Sequence, residues 1–213
     1  MFTKTLPAIL TLLLVFGCQQ RQPKPQVGGY QPYEGYEALE TAPSRSPSKS
    51  QSSSNIPSGW MPQNSENKWS AIIIHHSGTQ NGDASTFDSS HRSRGWEGIG
   101  YHFVIGNGSR SRNGEIEPTF RWTEQRTGAH TGGTPDNWAN REAIGICLVG
   151  DFSKDRPSQQ QMQSLGRLVR FLQQRYSIPT SRIYGHGTTP GANSTECPGR
   201  NFPMQQFKAM LSG

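Results

Sequence analysis

A chain of 213 residues has room for one ordinary domain with extensions, because a single domain takes about 100 to 200 residues. Its formal charge of +6, from 21 Lys and Arg against 15 Asp and Glu, suits an acidic surface or polymer as partner. The basic residues are scattered and form no block interleaved with aromatics, which argues against nucleic acid. The mean hydropathy is −0.73, and the apolar residues are concentrated in short runs after position 68 and nearly absent from 19 to 58.

The first element is an apolar run from Leu6 to Phe16 that follows Lys4. It falls short of the ~20 residues a spanning helix needs but suits the core of an export signal. Val15-Phe16-Gly17-Cys18 resembles the lipobox of bacterial lipoproteins. That resemblance implies a signal peptide over 1–17, a lipid on Cys18 and, with Gln19 next rather than Asp, anchoring in an outer membrane facing the periplasm. An ordinary secretory signal cut near Gly17 is the other reading, and both predict an exported protein. Residues 18–58 are rich in Ser, Pro, Gln and Lys, too poor in apolar surface to offset the entropy of folding, and read as a disordered tether. Forty such residues reach on the order of 35 Å.

The domain proper is expected over 59–213. WSAIIIHH, from Trp69, reads as a strand buried on both faces. DASTFDSSHRSRGW can form a short helix with Phe87 and His91 on one side, and YHFVIG reads as a strand ended by Gly106-Asn107-Gly108. A hairpin around Asn113-Gly114 leads to a further possible strand at Phe120 to Trp122, and AIGICLVG is another buried strand. Ser158 and Gln161 form a capping box for a helix whose Met162, Leu165, Val169, Leu172 and Tyr176 share one face. RIYGHG is a short strand, and a last helix opens near Pro203 with Met204, Phe207 and Leu211 inward. Strands and helices alternating irregularly predict an α/β fold: a single domain with a central mixed β-sheet flanked by helices.

Two histidines at strand ends, His75 and His186, and Cys197 in the polar turn TECPG can supply three zinc ligands and leave a fourth position for water. Taken alone, a histidine at a strand end is as readily a structural hydrogen-bonding residue. Cys147, inside an apolar strand, reads as core.

In chain order, IIIHHSG, GWEGIGYHFVI, GAHTGG, NREAIGICLVGDF and GHG through TECPG resemble the type 2 N-acetylmuramoyl-L-alanine amidase and peptidoglycan recognition protein family over about Trp69 to Leu211. The resemblance implies that family's fold, with zinc held by His75, His186 and Cys197 and with Tyr101 beside the metal. It implies a peptidoglycan muropeptide as substrate, cut between the lactyl group of N-acetylmuramic acid and L-alanine. Thr195 falls where phage amidases of the family carry a lysine and recognition proteins a threonine, which implies a neutral hydrogen bond to the reacting centre. Wall-recycling amidases carry a glutamate at the position of Cys147 and an aspartate at that of Cys197, so the chain resembles the phage and recognition branches more. A non-catalytic peptidoglycan-binding module is the competing reading, although such members lose the cysteine that this chain keeps.

His76, His130 and Asn140 are expected to contact substrate, His76 and Asn140 with a structural role as the alternative. His91 is expected to pack at Trp96 and His102 to be buried; Glu97 and Glu196 are candidates for a general base, with ordinary exposed carboxylates as the favoured reading. A monomer is the default expectation.

Overall fold

The computed structural model describes residues 57–212; the signal over 1–17, Cys18 and all but the end of the tether lie outside the described residues. Five strands carry the domain: β1 (Ala71–His76), β2 (Phe103–Ile105), β3 (Ile116–Pro118), β4 (Ala143–Leu148) and β5 (Ile183–Gly185). Their order across the sheet is β3-β2-β4-β1-β5. β2, β4, β1 and β5 run parallel and β3 is antiparallel at one edge, so the sheet is mixed as its sequence predicts. β1 and β4 are central and sealed on both sides, which is why their sequences run apolar without alternation.

Five helices flank the sheet: α1 (Ala84–Ser93), α2 (Phe120–Thr123), α3 (Trp138–Glu142), α4 (Gln159–Tyr176) and α5 (Met204–Ser212). Asp83 caps α1 by accepting from the Thr86 amide at 2.6 Å. The capping box at Ser158 and Gln161 forms as expected, and Met162, Leu165, Val169 and Leu172 are buried. The Gln161 amide group also donates to the Ile105 and Val149 carbonyls, which fastens the start of α4 to the sheet. Among the described residues no helix is long and apolar enough to cross a membrane.

One expectation is corrected. Phe120 to Trp122 is not a strand but the short helix α2; the edge strand lies just before it, at Ile116–Pro118. Thr119 decides this turn: its hydroxyl accepts from the Arg121 amide at 3.2 Å and donates to the Tyr101 carbonyl at 2.7 Å. The helical turn then buries Trp122 against Phe103, with ring centroids 4.7 Å apart.

Alternation along the strands sorts the two faces. Ala71 and Ile73 cluster with Ala139 of α3 and Ala143 of β4, so His75, two residues on, projects from that same face. The register aligns His75 with Cys147 and Ile73 with Gly145. It also pairs Ile74 with Gly185, which sets His186 beside His75 on a common face.

Candidate active site

His75, the penultimate residue of β1, is almost completely buried, 1% exposed. His186 begins a tight turn directly after β5, half-buried. The third member, Cys197, arrives on a loop that folds back over that turn. There the Gly187 amide donates to the Cys197 carbonyl at 2.7 Å, and a Cβ on Gly187 would stand 2.2 Å from the Thr195 carbonyl oxygen, so only glycine permits the approach. The His76 amide donates to Cys197 Sγ at 3.4 Å, and the Thr195 hydroxyl accepts from the Cys197 amide at 3.2 Å.

One ligand atom from each of His75, His186 and Cys197 lies within 4.8 Å of the others, the single such group of His, Cys, Asp or Glu among the described residues. Sγ of Cys197 is 3.7 Å from Nδ1 of His75. Tetrahedral zinc with ordinary Zn–N and Zn–S bonds separates such a pair by about 3.6 Å. The donor set therefore fits zinc, and three protein donors leave one position open, as catalytic rather than structural sites do.

The electrostatics agree. Burial first, then the neighbouring His130 and His186, holds His75 well below the ordinary histidine range, so its imidazole is neutral and able to ligate. Burial pushes the Cys197 thiol up to about 12, so thiolate forms there only with a cation at hand; the His76 amide works in the opposite direction by donating to sulfur.

Tyr101 lies just before β2, its ring centroid 5.2 Å from that of His75. Burial, then the neighbouring Cys147 and Cys197, raises its phenol well above the usual value, so it stays protonated and can donate. A cavity of about 420 Å³ opens over Tyr101 and His186, bounded by Ala129 to Gly132 and rimmed by Arg94 and Trp96. Thr195, Glu196 and Cys197 line a neighbouring cavity of about 370 Å³. The larger cavity, about 910 Å³, lies between β3 and α4 and contains none of these residues.

Of the three expected substrate contacts, two border the cavity and one does not. His76 turns to the opposite side of the sheet, where its Nδ1 accepts from the Phe152 amide at 3.0 Å and faces Asp151 at 3.9 Å. Asn140 is buried: its Oδ1 accepts from the His130 and Thr131 amides and its Nδ2 donates to the Thr131 carbonyl, which ties down the loop. His130, 8% exposed, sets its Nδ1 at 3.1 Å from His75 Nε2.

Cys147 is fully buried and, like Cys197, a free thiol. His91 packs on Trp96 with centroids 4.7 Å apart, and His102 is buried. Glu97 pairs with Arg126, while Glu196 is exposed beside Cys197.

Sequence reasoning missed Arg121. Its side chain is 5% exposed, and it donates to the Ile99 and Thr127 carbonyls at 2.5 Å each, joining the segment before Tyr101 to the one before His130. An arginine following an aromatic in a presumed strand gave no sign of this.

Residues 65–200 match the family model described as N-acetylmuramoyl-L-alanine amidase. The chain belongs to that amidase family. An endolysin of Escherichia phage T7 is 32% identical over 145 residues, which span 64% of this chain and 83% of the endolysin. A peptidoglycan recognition protein of Trichoplusia ni is 33% identical over 108 residues, half of each chain, so the chain spans about half the length of that relative. Among solved structures, the endolysin N-acetylmuramoyl-L-alanine amidase LysCS of Clostridium intestinale is 34% identical over 68% of this chain and 85% of its own, with a TM-score of 0.58. The amidase family match ends at residue 200 and so contains all three candidate ligands, Tyr101 and Thr195.

Proposed function

We propose that the protein is a zinc-dependent N-acetylmuramoyl-L-alanine amidase that hydrolyses the amide between the lactyl group of N-acetylmuramic acid and the L-alanine of the stem peptide. The observation that carries this reading is the convergence of His75, His186 and Cys197 within 4.8 Å, beside a protonated Tyr101 at the floor of an open cavity. When bound, zinc supplies a Lewis acid and brings the pKa of coordinated water down towards neutrality.

The chain's own groups account for the rest. Neutral His75 and His186 and the Cys197 thiolate hold the ion and carry one negative charge between them. Tyr101 donates its phenolic proton in a hydrogen bond to the carbonyl oxygen as that atom gains charge, a contact worth more in the transition state than in the ground state. Thr195, its oxygen already accepting from the Cys197 amide, keeps a hydroxyl proton free to donate and adds no charge.

Export and a lipid on Cys18, holding the protein at the outer membrane facing the wall, form the second half of the proposal and rest on the lipobox-like run Val15 to Cys18. The test is incubation of the full chain with purified peptidoglycan, with and without a chelator. Free stem peptide that stops appearing on metal removal, returns with zinc and is absent for Cys197→Ser supports the amidase; binding to the wall with no release in any of these conditions leaves a recognition module instead.

A further inference from the structure

We propose that His130 is a positioning residue that fixes the proton of His75 on Nε2 and so presents Nδ1 as a bare lone pair for the metal. This inference rests on the reading of His75 as a ligand. His130 Nε2 stands 3.3 Å from the Ala143 carbonyl, which can only accept, so that nitrogen carries the ring's proton. A neutral ring then has its lone pair on Nδ1, which faces His75 Nε2 at 3.1 Å. Two bare nitrogens would repel at that distance, so His75 Nε2 holds the hydrogen between them. His75 is left with Nδ1 unprotonated, the atom that faces Cys197 Sγ at 3.7 Å. The Thr131 hydroxyl, 2.9 Å from His130 Nδ1, can rotate and does not decide the tautomer; the carbonyl does.

The surroundings are built for this ring. A Cβ on Gly145, in the middle of β4, would lie 2.4 Å from His130 Cδ2, and one on Gly128 would lie equally close, so two glycines clear the space it occupies. Asn140 grips the backbone amides of His130 and Thr131 at 2.8 and 3.0 Å. A second neutral ring behind repeats the arrangement: His102 Nε2 faces the Arg126 carbonyl at 3.0 Å and its Nδ1 accepts from the Gly145 amide at 3.0 Å. Neither His102 nor His130 thus has a proton to spare towards His75.

The experiment uses the full chain, with resonance-assigned histidine ring nitrogens observed by NMR and zinc affinity measured by competition with a chromogenic chelator. In the metal-free wild type, His75 should show a protonated Nε2 and an unprotonated Nδ1. His130→Ala should mix the two tautomers and weaken zinc about 10- to 100-fold, the range seen when an outer partner of a ligating histidine is removed. His130→Asn, whose carboxamide oxygen can take the place of Nδ1, should recover most of that loss, whereas His130→Gln, which reaches instead to the Nε2 position, should not. A protonated Nδ1 on His75 in the wild type overturns the proposal, as does unchanged zinc affinity in a folded His130→Ala. If His130→Ala does not fold, the wild-type spectrum and the Asn variant decide. A wild type with the stated tautomer but no zinc binding leaves this assignment standing and removes the amidase reading.

Discussion

At the scale of single residues, the proposed function separates groups that would hold an ion from groups that would act on substrate. The proposal puts Tyr101 in the second kind, on the strength of its ring lying beside that of His75, 5.2 Å between centroids. Tyr101→Phe should therefore lower kcat by about 10² to 10³ while leaving zinc affinity unchanged, as expected for loss of one oxyanion donor. A kinetic and metal-binding comparison checks it, and an equal loss of zinc would make the phenol structural. His102 provides a pH prediction. Burial holds its pKa down to about 3, against 6.5 for an unhindered imidazole. Between those values the unfolded chain takes up a proton that the folded one refuses, so the stability linked to this ring is complete above about pH 6.5 and drains away as pH falls towards 3. Urea unfolding from pH 7 to 4 should show His102→Gln losing up to about 1.4 kcal/mol less per pH unit than the wild type. Parallel slopes would mean that the ring is protonated in the fold.

At the scale of elements, the site depends on strand ends and on glycines that let backbone pass close to backbone. Gly187→Ala should leave the sheet intact but push out the Thr195–Cys197 turn, because its Cβ would meet a main-chain oxygen rather than a flexible side chain. The measurable outcome is a loss of zinc affinity of at least about tenfold with an unchanged far-UV spectrum, in line with displacement of one ligand by roughly an ångström. Zinc binding at wild-type strength would show that the turn has room to give. Much of this level was legible in the chain. AIIIHH and AIGICL declare buried parallel strands by their unbroken apolar runs, and α4 is announced by its capping box and stripe. Phe120 to Trp122 misled because aromatic residues favour strands on average, whereas here the Thr119 cap and the burial of Trp122 decide for a helix. His130 was legible as a residue of the site but not its place behind His75, which depends on space left by Gly128 and Gly145, and Arg121 was not legible at all, because it depends on the carbonyls of Ile99 and Thr127; neither local pattern carries those distances.

At the scale of the whole molecule, the proposed ion and the fold would support each other. His75 and Cys197 are 122 positions apart, so an ion that binds the folded form alone adds stability by mass action, about 2.7 kcal/mol at a free concentration 100 times its Kd. Thermal melting in zinc and in chelator should differ accordingly, and coincident curves would deny the coupling. The proposed anchor makes a separate prediction: in a bacterial host, Cys18→Ser should move the protein from the membrane fraction to the soluble exported fraction without changing its specific activity on purified wall. Continued sedimentation with membranes would remove the lipid from the account.

The His76 amide donates to the sulfur of residue 197, and the imidazole of residue 75 faces that same sulfur. One dipeptide at the end of the first strand thus waits for a partner more than a hundred positions further along the chain: 121 from His76 and 122 from His75. An extended polypeptide therefore has no complete grip on the proposed cation, and the site comes together only when the turn bearing residue 197 closes over the first strand.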